Sequence, residues 1–292
     1  MNLLNPKAFA LACVVLLSSG ARGTGAESKR DEGWNILQMN IIEKSTEKRV
    51  IAVHVLALLP GDARALGLAQ KAATDDKPEV RVAAATALGQ LHGKGSIAIL
   101  QQLLSDAEPS VVLAAANALM PSKDPAAYAV YYEFLTGERK ANKGMVKEQM
   151  KILRDPKKMA ELGVEQGMGF IPFAGIGLAA FQTLHTDDVS PIRAAAAKML
   201  ANDPDPESGK ALVEESADKS WLVRTAALEA IAKRGDPKLL DGIVPAMKDD
   251  NTSVRCTAAA AVIRLSTLAA SGGRKGSGVI QQMTPLPQEK LN

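Results

Sequence analysis

Val80-Arg81-Val82-Ala83-Ala84-Ala85-Thr86-Ala87-Leu88 decides the fold, because its frame returns at Ile192-Arg193 to Leu200, Val223-Arg224 to Ile231 and Val254-Arg255 to Val262. In each, a Val/Ile-Arg pair is followed by small residues and an aliphatic seven positions after the Arg. Arg49 with Leu56 and Val112 with Leu119 fit the same frame, so register positions fall at 49, 81, 112, 193, 224 and 255. The steps are 32, 31, 81, 31 and 31 residues, and recurrence at a few tens of residues marks stacked supersecondary units.

Each unit reads as two helices. The first, rich in Ala, has good helix propensity and lets its neighbours approach closely. The second follows a turn marked by Gly, Pro or Asp, at Ile97 to Ser105, Pro125 to Leu135 and Pro237 to Lys248. Such short helices cannot bury a face alone, and stacking supplies the core. Six residues before each register position stands an acid: Glu43, Asp75, Asp106, Asp187, Asp218 and Asp249. A carboxylate there caps the turn before the first helix, and the Arg that follows can reach a neighbouring unit's acid. Asp75, Arg81, Asp187, Arg193, Asp218, Arg224, Asp249 and Arg255 are therefore expected to form an internal ladder. Unit three has Val112 where the Arg belongs, so its rung is missing.

With this spacing of Asp and Arg, the units resemble HEAT repeats, specifically the short variety named after phycobilisome lyases. The resemblance covers about Trp34 to Ala270. It implies an all-α fold, an α-solenoid of stacked HEAT-like helical hairpins, and binding surfaces rather than one chemistry; some family members touch tetrapyrroles.

The ends and the long step complete the layout. Trp34, Leu37 and Ile41 stand where second-helix residues belong, so the array opens with a half repeat, and it closes with a first helix, Ser253 to Leu268. That pattern is expected of an open solenoid. The 81-residue step leaves 50 residues beyond one period, an inserted helical segment. The expected division is 1–26 signal peptide, 27–135 N-terminal repeats, 136–186 insert, 187–270 C-terminal repeats and 271–292 flexible tail. The signal reading rests on Lys7, an apolar run from Ala8 to Leu17, and small residues before a cleavage site after Ala26 or Ala21. Its apolar core is too short to span a bilayer. Without the signal, 33 basic residues face 32 acidic ones, which removes any electrostatic case for nucleic acid. One cysteine, Cys256, remains, so no internal disulfide can form.

No catalytic or metal-binding constellation emerges. His54, His92 and His185 are scattered over different units, and Cys256 has no base beside it. Gly175 to Ala180 matches G-x-G-x-x-A, but no strand precedes it. The expectation is an exported, periplasmic or extracellular, monomeric and non-catalytic scaffold for a protein partner, with no cofactor. The partner is expected on the inner curve of second helices and the insert. Every Tyr and Phe after residue 26 falls between 128 and 181, and aromatics favour interface centres, so Tyr131, Tyr132, Phe170 and Phe173 are the candidate partner-binding residues. Two other readings stand beside this one: a lyase-like or chromophore-binding protein holding a tetrapyrrole against the insert, and a peripheral membrane protein attached through Gly167 to Phe181.

Overall fold

The computed structural model describes residues 25–93, 95–137 and 189–277, with side chains as far as Ser271. The described residues contain helices and turns and no strand. In chain order the helices are α1 (Gly25–Ile41), α2 (Thr46–His54), α3 (Ala63–Ala72), α4 (Pro78–Leu91), α5 (Ser96–Leu103), α6 (Pro109–Leu119) and α7 (Pro125–Thr136). After residues 138–188 come α8 (Ser190–Met199), α9 (Pro206–Glu215), α10 (Trp221–Arg234), α11 (Leu240–Ile243) and α12 (Thr252–Ser277). A 3-10 turn, Val55–Leu58, extends α2, and two others, Pro237–Leu239 and Val244–Lys248, flank α11.

Local chemistry sets the helix starts. Pro occupies the first turn of α4, α6, α7 and α9, where its missing N–H costs nothing and its fixed φ suits the helix. Asp62, Asp124 and Asp205 cap α3, α7 and α9 by accepting N–H groups of the first turn. α10 stops at Gly235, whose φ of 68° lets its N–H turn back to Ile231 O. α12 continues to Ser277, past Ala270, where the sequence pattern of the last repeat ends and the tail was expected to begin.

The half repeats do not end the stack as expected, and the stack is not in chain order. α1 packs along α12, and α12 lies between α10 on one side and α2 on the other. The half repeat at each end of the sequence therefore joins the other as one composite repeat. Through it the stack runs α8/α9, α10/α11, α12/α1, α2/α3, α4/α5, α6/α7. Small residues make the joint close: a Cβ on Gly33 of α1 would lie 3.0 Å from Ala259 O and 3.0 Å from Ile263 Cγ1 of α12. Trp34 and Leu37 of α1 are buried there. Lys29 Nζ donates to Asp241 Oδ1 at 2.7 Å, from α1 to the second helix of the preceding repeat. Residues 138–188 connect the two terminal repeats of the stack.

Ala258 to Ile263 are all fully buried, so α12 is the axis of the core. Its segment Thr252–Ser271 is the one stretch among the described residues long and apolar enough to cross a membrane, yet two thirds of that window is buried in the protein. Around α12 the first helices crowd together. α10 and the turn Val55–Leu58 touch across it, and Arg264 Nη1 donates to Leu58 O at 2.9 Å. A cleft lies between the second helices α1 and α3.

Candidate functional site

Two features of the stacked helices bear on function: the ladder that fixes repeat to repeat, and the apolar groups left on the second helices. The ladder follows from the short Asp side chain. Asp75 Oδ1 accepts from Lys77 N, Asp106 Oδ1 from Glu108 N, Asp218 Oδ1 from Ser220 N and Asp249 Oδ1 from Asn251 N, each at 2.8 to 2.9 Å. This closes the turn and turns the carboxylate toward the preceding repeat. There the guanidinium meets it: Arg49 on Asp75 (Nη2 to Oδ1, 2.9 Å), Arg81 on Asp106 (Nε to Oδ2, 2.8 Å), Arg193 on Asp218 (2.7 Å) and Arg224 on Asp249 (Nε to Oδ2, 2.8 Å). Nη1 of Arg81 and Arg224 donates back to the main-chain oxygen of its own turn, at Asp75 and Asp218. Burial works against the charge on Asp106, but the bonds from Arg81 and the Glu108 N–H outweigh it and hold that carboxyl below the ordinary range. The same balance, with Arg49 and Lys77, lowers Asp75.

Arg255 departs from the expected ladder. Its guanidinium donates to Asp249 O, Asp250 O and Thr252 Oγ1, and it meets no acid of the next repeat. The position there belongs to Glu43, which is one methylene longer and exposed; it accepts from Lys44 N and lies 3.7 Å from Lys48 Nζ. Asp187 lies outside the described residues.

The four candidate partner-binding aromatics divide. Tyr132 is 62% exposed, in line along α7 with exposed Tyr128 and Leu135. Tyr131 is half-buried against the core, and its hydroxyl bonds Asn117 Oδ1 of α6. Helical spacing explains the split, since Ala127, Val130, Tyr131 and Phe134 form the inward face of α7. That pattern was present in the sequence and separates Tyr131 from Tyr132. Phe170 and Phe173, like the rest of the expected insert from 138 on, lie outside the described residues.

The sequence reading missed the cleft between α1 and α3. It has a volume of about 690 Å³, with Met39, Ile42, Leu68 and Ala72 among its apolar lining and Asn35, Gln38, Lys71, Thr74 and Asp75 as its polar groups. Met39 near the end of α1 and Ile42 just after it are 68% and 76% exposed, so they present apolar surface to solvent. At one edge, the Arg64 guanidinium lies 4.6 Å over the Trp34 ring. No sequence motif marks these residues, and only the joining of α1 to α12 sets α1 against α3.

Two reactive groups, Cys256 and His54, lie inside the stack. Cys256 is fully buried, and burial pushes its thiol up to about 12. Burial lowers the pKa of His54, keeping it neutral beside the ion pair of Lys198 with Glu229. No group of three His, Cys, Asp or Glu that could hold a metal ion occurs among the described residues.

The sequence matches the family description "HEAT repeats" over residues 39–121, 66–139 and 178–264, which together span more than half of the chain. No curated protein matches it closely. Among solved structures, similarity extends to human deoxyhypusine hydroxylase in complex with glycerol (18% identity, 83% of this chain and 99% of that chain, TM-score 0.30). It extends also to the complex of CpcE and CpcF of phycocyanin lyase from Nostoc sp. PCC7120 (19% identity, 87% of this chain and 97% of that chain, TM-score 0.31). An engineered protein is similar at 16% identity over 82% of this chain and 97% of that chain, with a TM-score of 0.25.

Proposed function

The chain belongs to the HEAT-repeat family and is a helical repeat scaffold, and from that premise we propose that it is an exported, non-catalytic protein that holds a protein partner on its second-helix side. The observation that carries this reading is the α1/α3 cleft, where exposed Met39 and Ile42 stand over an apolar floor. Apolar groups left in solvent beside a concave surface are what an apolar stretch of a partner buries on docking. Tyr128, Tyr132 and Leu135 on the terminal repeat offer a second contact of the same kind. Export rests on the charge and apolar pattern of residues 1–26.

The test is crosslinking capture from the cell envelope with the full chain and with the double variant Met39→Glu, Ile42→Glu, both checked for folding by circular dichroism. Burying a large apolar side chain contributes about 1.5–3 kcal/mol. Losing two should therefore weaken capture at least about tenfold. Undiminished capture by the folded variant removes the cleft from the binding surface. A visible absorption band in the purified protein would favour the chromophore-holding alternative instead.

A further inference from the structure

We propose that the joint between the composite repeat and α2 is a hinge that sets how widely the α1/α3 cleft opens; as regulation of that cleft, it rests on the functional reading above. Four other joints between neighbouring repeats carry an Arg–Asp rung: Arg49 with Asp75, Arg81 with Asp106, Arg193 with Asp218 and Arg224 with Asp249. The joint of α12 with α2 carries none. Arg255 stands ready on α12, but the facing position is Glu43, whose longer side chain does not close the turn by accepting an N–H two residues on. Ser45 caps α2 in its place, with Oγ accepting from Lys48 N. The joint is fastened instead by α1, which packs on α2, by Arg64 of α3, whose guanidinium lies over the Trp34 ring of α1, and, at the other end of α12, by Arg264 Nη1, which donates to Leu58 O.

The walls of the cleft sit on opposite sides of this unlatched edge. α1 moves with α12, to which Gly33 and Leu37 fasten it, and α3 moves with α2 and α4, against which it packs. The covalent link between the two sides is the four-residue turn Ile42–Ser45, which contains Glu43. Rotation about that turn spreads or closes α1 and α3 without breaking a rung. Met39 and Ile42 lie beside the pivot, so a partner inserted there is gripped or released by the same motion.

The substitution Glu43→Asp tests this directly, since the shorter carboxylate can close the turn and accept from Arg255 as Asp75 does from Arg49. Spin labels on cysteines introduced at Gln38 and Lys71, on opposite walls, report the width of the cleft in the full chain carrying Cys13→Ser; buried Cys256 stays unlabelled. The expected result is a broad distance distribution that narrows in Glu43→Asp and broadens again in Glu43→Asp with Arg255→Gln. An unchanged distribution in Glu43→Asp, or narrowing that survives loss of the Arg255 guanidinium, overturns the hinge. The readout needs no partner, so failure of the hinge is distinct from failure of the cleft as a binding surface, which the Met39→Glu, Ile42→Glu capture decides.

Discussion

Replacing Leu37 by alanine is expected to destabilise the array by about 2–5 kcal/mol, the cost of removing a fully buried leucine whose surroundings collapse only in part. The informative part is where the loss appears. Leu37 lies near the start of the described chain, but it packs in the composite repeat, and α12 is the axis on which α10 and α2 also rest. Loss of α1 packing should therefore raise amide exchange in α12 and α10 as well as in α1 and α2. Denaturant unfolding gives the magnitude, and hydrogen exchange followed by mass spectrometry gives the location. Faster exchange confined to α1, with α12 and α10 unchanged, would mean that the helix only decorates the stack. An α1 that carried its own stability is not expected: at this length an isolated helix is marginal, and most of its residues are polar.

Arg81→Ala is expected to destabilise by about 2–3 kcal/mol, because it leaves a mostly buried Asp106 carboxylate without its charged partner. Arg255→Ala is expected to cost less than about 1 kcal/mol, since its bonds go to main-chain oxygens and Thr252, and no buried acid is left unpaired. The pair of variants, compared by urea unfolding, separates the ladder from the mere presence of an arginine in each repeat. Acid should erase most of the first difference. The Asp106 carboxyl is lowered in the folded protein, so its contribution is complete above its ordinary value near about 4 and is lost as pH falls through the lowered folded value. Wild type and Arg81→Ala should converge in that window. A gap that persists below it would assign the effect to the aliphatic part of the Arg side chain.

The repeat frame was legible because both its parts are local. The Arg and the acid six residues earlier mark each first helix, and α4, α6, α8, α10 and α12 begin where that frame places them. Second helices were less sharply legible. Pro237 to Lys248 reads as one helix, but Pro245 and Gly242 break it into a short α-turn between two 3-10 segments. The joining of the ends could not be read at all. A half repeat was visible at each terminus, yet the contact between them spans 212 residues of sequence at Lys29 and Asp241, and the close approach at Gly33 and Ala259 is made by small residues that carry no address. The cleft was hidden for the same reason, since α1 and α3 become opposing walls only once α1 is fixed on α12. Glu43 shows the limit of pattern matching: it fits the acid position as charge but not as geometry, and one methylene decides whether a rung forms.

The composite repeat is the claim on which the cleft and its hinge depend, and zero-length carbodiimide crosslinking of the full chain tests it most directly. Lys29 Nζ and Asp241 Oδ1 lie 2.7 Å apart and both reach solvent. The account predicts an amide bond between the peptides that carry these two residues, formed at protein concentrations low enough to exclude joining of separate molecules. Crosslinks elsewhere in the stack, such as Lys198 with Glu229, appearing without any bond between α1 and residues 237–271, would contradict it.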